Sequence, residues 1–189
     1  PPTGSITAAV CSNSSKTMLD FLRKVLGSSE LLSFNLVRRD RWVAARAAEL
    51  PAGTRVLDIG AGSAPYRALF AHCAYRTQDL APLRADQLRF GGYGQIDYTG
   101  DATAIPTPDA SFDCVLCTEM IEHHPEPIRV VAEFARILAP GGRLLLTAPL
   151  GSGIHQEPHH YYGGFTPYWY QRFLAEAGFE RVEVVANEG

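Results

Sequence analysis

The sequence predicts an α/β fold with a doubly wound, Rossmann-like, mostly parallel sheet and helices on both faces. From residue 54 onward, short apolar segments alternate with segments whose apolar residues recur at spacings of three and four. That alternation is typical of a parallel sheet covered by helices. Acidic residues follow several of the strand-like segments. Since ligands of such sheets bind beyond the carboxyl ends of the strands, the sequence also predicts a binding site at that edge.

The predicted elements follow one another in a regular order. We expect strands at 55–59, 75–79, 95–98, 112–117, 143–148 and 180–186, and helices at 16–26, 35–49, 65–71, 126–138 and 167–177. Residues 1–15 are expected to form a flexible tail, 16–53 a helical segment that covers the pocket, and 54–189 the main domain. Phe34, Arg38 and Trp42 are the candidates for that cover. No strand is readable after the sixth, so a seventh is expected to be absent or truncated.

The composition limits the classes of protein to which the chain can belong. The 189 residues are 46% apolar and 20% charged, which suits one globular domain. The net charge of −3 argues against a nucleic-acid partner without excluding a local basic patch. No apolar run approaches the roughly 20 residues that span a bilayer, and the N-terminus lacks a signal-peptide pattern. We therefore expect a cytoplasmic protein that does not bind membranes; its oligomeric state stays open.

Two of the four cysteines, Cys114 and Cys117, form a Cys-x-x-Cys pattern within the strand predicted at 112–117. Side chains three residues apart on a strand point to opposite faces. The pattern therefore predicts two buried thiols on different sides of the sheet rather than a metal or redox pair.

A glycine-bearing turn follows the first predicted strand, in Val56-Leu-Asp-Ile-Gly-Ala-Gly-Ser-Ala. Gly60 and Gly62 allow a tight bend and a close approach of the backbone to a ligand, and Asp58 places a carboxylate near the strand end. Pro65 stands where a dinucleotide fingerprint has its third glycine, and the acid disfavours a pyrophosphate. The turn therefore favours a ligand with positive or donor groups.

Over about residues 54–186 the chain resembles the class I S-adenosylmethionine-dependent methyltransferases, specifically the small-molecule group often called type 11. The resemblance is carried by the glycine turn, by the stretch from Ile105 to His123, and by Ala139-Pro-Gly-Gly. It implies S-adenosylmethionine as cofactor, with Asp79 at the ribose and Asp101 at the adenine. The cofactor-binding residues that it implies are Asp58, Gly60, Ala61, Gly62, Asp79, Leu80, Asp101, Ala102, Cys117, Thr118 and Glu119.

Methyl transfer from a sulfonium is an in-line displacement, so the protein mainly aligns the reactants and excludes water. A hydroxyl acceptor must also lose its proton, and histidine titrates near neutral pH. The catalytic candidates are His123, His155 and His159, the last two in a loop expected to face the acceptor. The aromatic stretch from Tyr161 to Tyr170 suits an acceptor pocket or a partner surface, although core packing explains part of it.

We expect O-methylation of a small-molecule acceptor, with no metal in the site. A first alternative comes from small-RNA 2′-O-methyltransferases and some quinone-pathway O-methyltransferases, which the chain resembles in an acid-x-x-acid-His segment. On that alternative Glu119, Glu122 and His123, with His159 or His160, bind a divalent metal. A second alternative is a non-catalytic subunit that keeps the fold and the cofactor site.

Overall fold

The structure, a computed structural model, describes residues 5–12 and 30–187. Its strands are β1 (Ser5–Ser12), β2 (Arg55–Ile59), β3 (Ala74–Asp79), β4 (Tyr98–Thr99), β5 (Phe112–Thr118), β6 (Leu138–Gly151) and β7 (Arg181–Asn187). Its α-helices are α1 (Glu30–Ala48), α2 (Pro127–Ile137) and α3 (Pro167–Glu176). Single turns of 3₁₀ helix lie at Arg67–Phe70, Ala85–Gln87 and Ile121–His123. No helix within the described residues is long and apolar enough to cross a membrane.

The strands form one sheet in the order β4-β3-β2-β5-β6-β1-β7, and every neighbouring pair is parallel. The chain runs outward from β2 through β3 to β4, then returns to place β5 on the other side of β2. This reversal confirms the predicted doubly wound sheet. Its switch point lies between β2 and β5, which is where such sheets bind their ligands.

The flexible tail predicted at 1–15 is wrong for Ser5–Ser12, because these residues form β1. The strand lies between β6 and β7, with Ile6 opposite both Leu144 and Val182. Ile6, Thr7 and Val10 are residue types that favour strands, whereas the flanking prolines and serines favour irregular structure. The helix predicted at 16–26 lies outside the described residues.

The prediction that a seventh strand is absent or truncated is also corrected in part. The described residues contain no strand after β7, yet the sheet has seven strands because β1 fills the place beside β6 and β7. It runs parallel to both neighbours. The sheet is therefore complete on this side through the N-terminal segment.

Other differences are local. The helix predicted at 65–71 is only the 3₁₀ turn Arg67–Phe70, and it follows a left-handed φ of 51° at Ala64. The third predicted strand, 95–98, shrinks to Tyr98–Thr99. Helix α1 begins at Glu30, ahead of the predicted residue 35.

Apolar side chains form a core on each face of the sheet. On one face α2 and α3 pack against Leu57 and Cys117, and on the other α1 packs against Val56 and Cys114. The two thiols are buried in different cores, as their spacing on the strand predicted. They form neither a metal pair nor a redox pair.

Candidate functional site

A cavity opens at the carboxyl edge of the sheet, above β2, β3 and β5 and beside α1. Most of the predicted site residues line it: Gly60, Ala61, Gly62, Asp79, Leu80, Asp101, Ala102, Thr118, Glu119, His123 and His159. The other three, Asp58, Cys117 and His155, are not among its lining residues. The topological switch point therefore gathers residues that lie far apart in sequence.

The first turn of the site is fixed by backbone contacts. Gly60 has a φ of 69°, and a Cβ at this position would lie 2.2 Å from Cγ of Met120. The amides of Gly60 and Ala61 donate hydrogen bonds of 2.9 and 3.1 Å to the carbonyl oxygen of Gln78. Glycine is therefore required at residue 60 both for its backbone conformation and for the close approach of Met120.

Asp79 is the last residue of β3, and both of its carboxylate oxygens accept hydrogen bonds from backbone amides. Its Oδ2 accepts a 2.8 Å hydrogen bond from the amide of Gly62, and its Oδ1 accepts one of 2.6 Å from the amide of Ala81. Burial raises the pKa of Asp79, while these backbone hydrogen bonds oppose the rise. Each oxygen retains a second acceptor position, so this fixed carboxylate can still accept hydrogen bonds from a ligand.

Asp101, which follows β4, is held by its own loop. It accepts hydrogen bonds of 2.8 and 2.6 Å from the amide and hydroxyl of Thr103, and one of 3.1 Å from Nε2 of His124. Nδ1 of His124 accepts from the amide of Glu126, so Nε2 carries the hydrogen. The hydrogen bond from the Thr103 side chain lowers the pKa of Asp101, which keeps this cavity residue charged.

Glu119 joins three elements at the end of β5. It adopts a left-handed φ of 49°, its amide donates to the carbonyl oxygen of Thr147, and its Oε1 accepts from the Thr147 hydroxyl at 3.0 Å. Its Oε2 lies 3.6 Å from Nη1 of Arg39, on α1. The strained backbone places Glu119 on the cavity wall, where Arg39 balances its charge.

Arg39 is the main cavity residue that the sequence analysis missed. Its Nε donates to the hydroxyl of Tyr66, which in turn donates to Asp40. The predicted cover residue Arg38 is exposed instead, Trp42 packs against the core beneath α1, and the side chain of Phe34 lies outside the described part of the chain. Arg39 stands four and eight residues before the buried Val43 and Ala47, and this helical spacing is the signal that could have found it.

Asp58 lies behind the glycine turn rather than on the cavity wall. It is 1% exposed and accepts a hydrogen bond from the hydroxyl of Tyr75. Burial raises the pKa of Asp58 to about 7, the Tyr75 hydrogen bond opposes the rise, and the charge of Asp79 adds to it. Cys117, the other predicted cofactor residue away from the cavity, is fully buried in the core.

His123 lines the cavity as a neutral imidazole. Its Nδ1 donates a 2.7 Å hydrogen bond to the carbonyl oxygen of His159, and its Nε2 lies 3.7 Å from Oε1 of Glu122. Burial lowers the pKa of His123 to about 4. Burial also raises the pKa of Glu122 well above its usual range. His123 is therefore uncharged in the folded protein near neutral pH.

The carboxylate-based metal set of the first alternative does not form one cluster. Among the described residues, the group of potential metal ligands that converges is instead His123, His155 and His160. The aromatic stretch is divided between core and surface. Phe165 and Tyr170 are buried and Trp169 packs against both, whereas Tyr161, Tyr162 and Tyr168 are exposed. None of the residues from Tyr161 to Tyr170 is among those lining the cavity.

Comparisons with known proteins agree with this fold. Residues 57–146 match a family model described as a methyltransferase domain. A ubiquinone biosynthesis O-methyltransferase of Xanthomonas oryzae pv. oryzae is 39% identical over 126 residues, covering 62% of this chain and 51% of that protein. One from Xylella fastidiosa is 38% identical over 102 residues, covering 50% and 42%. The chain therefore spans about half the length of these curated relatives.

Among solved structures, a protein of Bacillus halodurans C-125 assigned as a methyltransferase has a TM-score of 0.57 at 26% identity, covering 75% of this chain and 69% of that one. The fold and the strand-end site define a class I methyltransferase domain of the S-adenosylmethionine-dependent type. Within that class, residues 57–146 match the methyltransferase domain model of the type 11 group.

Proposed function

We propose that this chain transfers a methyl group from S-adenosylmethionine to an oxygen atom of a small molecule. The observation that carries the proposal is the convergence of Asp79, Asp101 and Glu119 on one cavity beside the glycine turn. Three acids suit a ligand that carries an ammonium and a sulfonium and lacks phosphate. The relatives named as O-methyltransferases support oxygen as the methylated atom.

The cavity residues fit the parts of this cofactor. Asp79, fixed by two amides, would accept hydrogen bonds from the ribose hydroxyls, as the acid at this place does in related sheets. Leu80 is 54% exposed and offers an apolar surface to the adenine ring, with Asp101 beside it to accept from the exocyclic amine. Arg39 supplies a guanidinium for the methionine carboxylate. When bound, S-adenosylmethionine supplies an electrophilic methyl carbon and a neutral thioether leaving group.

On the acceptor side, the chain must hold a hydroxyl in line and take its proton. His123 and His159 line the cavity, whereas His155 does not. The Nδ1 hydrogen of His123 is committed to the carbonyl of His159, so His123 positions that residue. We assign the proton-accepting role to the side chain of His159, and we expect that contact to tighten when the acceptor is bound.

A transfer assay with labelled S-adenosylmethionine tests this proposal. The chain is incubated with phenols, sugars and RNA with free 3′ ends, and the methylated atom is identified by NMR. We expect transfer to a hydroxyl of a small molecule, with His159→Gln lowering kcat at least about tenfold while the cofactor KM holds. Transfer to RNA ends alone would overturn the proposal in favour of an RNA enzyme. Cofactor binding without transfer to any acceptor would favour a non-catalytic subunit.

A further inference from the structure

Three histidine rings converge where the loop after β6 meets the segment after β5. The ring centroid of His155 lies 4.7 Å from that of His123 and 4.5 Å from that of His160, and the remaining pair is 5.6 Å apart. One ring nitrogen from each residue lies within 4.8 Å of the other two. The rings meet edge-on, at 61° to 85°, so the cluster is not a stack of aromatic faces.

Backbone hydrogen bonds set the tautomers of two of these rings. Nδ1 of His123 bonds to the carbonyl oxygen of His159 at 2.7 Å, and Nδ1 of His155 bonds to that of Gly153 at 2.9 Å. A carbonyl oxygen only accepts, so each Nδ1 carries the hydrogen and each Nε2 keeps its lone pair. Metal-ligating histidines are held in this way, with the second nitrogen donating to a carbonyl or carboxylate.

Buried polar atoms without partners mark the same place. Within the described residues, Nε2 of His123 and Nδ1 of His160 are buried and lack a hydrogen-bond partner, as do both carboxylate oxygens of Glu122. The Glu122 side chain is 0% exposed, and its Oε1 faces Nε2 of His123 at 3.7 Å. Unsatisfied buried groups are rare and call for an explanation such as an ion. A cation here would satisfy the two nitrogens and face the neighbouring carboxylate.

We propose that His123, His155 and His160 bind a Zn²⁺ ion that fastens the loop of residues 152–163 over the acceptor end of the cavity. Imidazole nitrogens favour zinc over magnesium, which prefers oxygen ligands. Zinc bonded at about 2.0 Å brings tetrahedral nitrogens to about 3.3 Å of one another, so binding draws the exposed His155 inward. This nitrogen site differs from the carboxylate set of Glu119 and Glu122, and it acts on the loop that carries Gln156 and His159 to the cavity.

The test is a zinc titration of metal-stripped protein against a competing chromophoric chelator, without cofactor or acceptor. We expect one zinc ion per chain, and His155→Ala and His160→Ala should each weaken binding at least about tenfold. His159→Ala is the matched control from the same loop: its backbone carbonyl remains, so its zinc affinity should equal that of the wild type. Circular dichroism checks that each variant is folded. Zinc should slow proteolysis of the loop in the wild type, and it should not do so in His155→Ala or His160→Ala.

Three results would overturn the inference: no zinc bound to the wild type at micromolar concentration, an equal loss in His159→Ala, or displacement of zinc by millimolar Mg²⁺. The measurement is independent of methyl transfer. Asp79→Ala should keep its zinc affinity while losing the cofactor, so a failure of the metal site and a failure of the proposed function give different results.

Discussion

The backbone amide of Gly62 donates a 2.8 Å hydrogen bond to Oδ2 of Asp79. This contact joins the glycine turn after β2 to the acid that ends β3, across 17 residues of sequence. It fixes the orientation of the carboxylate on the cavity wall before any ligand arrives, and such preorganisation reduces the cost of binding. The turn and the acid therefore act as one unit of the proposed cofactor site.

Because Gly60 lies close to the Met120 side chain, a single methyl group added at residue 60 should destabilise the fold. Gly60→Ala should lower the free energy of unfolding by about 1–3 kcal/mol, because the variant keeps a left-handed φ and meets the Met120 side chain. It should also weaken cofactor binding, since the turn lines the cavity. Urea unfolding and calorimetry measure the two effects.

Gly92→Ala is the matched control for that variant, since a Cβ at Gly92 would meet nothing within 4 Å. Its stability should stay within about 0.5 kcal/mol of the wild type, which is usual for a surface substitution. Equal stabilities of the Gly60 and Gly92 variants would show that the backbone at Gly60 is not constrained as described.

The positive charge of Arg39 should strengthen the binding of the cofactor. Arg39→Gln removes the guanidinium proposed for the methionine carboxylate, and the loss of one charge-assisted hydrogen bond, about 2 kcal/mol, corresponds to about thirtyfold in Kd. Arg41→Gln, on the exposed side of the same helix, is the control and should bind normally. Calorimetry with S-adenosylmethionine and with a decarboxylated analogue separates the roles, since the analogue should bind both variants alike.

Burial of Asp58 predicts how stability depends on pH. The pKa of Asp58 is about 7 in the folded protein against an ordinary value of 3.8, so between these values the folded chain holds a proton that the unfolded chain has released. The free energy of unfolding should therefore fall as pH rises from about 4 to 7, by at most about 1.4 kcal/mol per pH unit. Above pH 7 and below pH 4 this contribution should not change further.

Comparison with Asp58→Asn isolates that contribution, because the amide does not titrate while Asp79, Glu122 and the other acids remain. The difference in unfolding free energy between wild type and variant should decline across the same window. Tyr75→Phe should move the upper end to higher pH, since the Tyr75 hydrogen bond lowers the pKa of Asp58. A difference that stays flat from pH 4 to 8 would contradict the account.

The sequence predicts the sheet well because its signal is local. The alternation of strand and helix places β2 at its observed bounds, Arg55–Ile59, and the cysteine spacing assigns Cys114 and Cys117 to opposite faces. Strand β1 was missed because a short apolar segment next to prolines and serines does not show which strands it will pair with. Its pairing with β6 and β7 depends on residues more than 130 positions away.

The candidate site was predicted in the same uneven way. Acids that end strands, such as Asp79 and Asp101, reach the cavity because the topology brings every strand end to one edge. Asp58 also lies near a strand end, but its side chain meets Tyr75 behind the turn, and no spacing in the sequence shows that partner. The histidine cluster was not predicted for a similar reason. Its members are joined by a loop, and sequence patterns do not define the path of that loop.

Calorimetric titration of S-adenosylmethionine into the wild type and Asp79→Ala tests the central claim most directly. We predict one bound cofactor per wild-type chain and a loss of at least about thirtyfold in the variant, because two charge-assisted hydrogen bonds to the ribose disappear. Asp109→Asn, an exposed acid paired with Arg136, should bind like the wild type. Absence of binding by a folded wild type, or equal affinity of wild type and Asp79→Ala, would contradict the account.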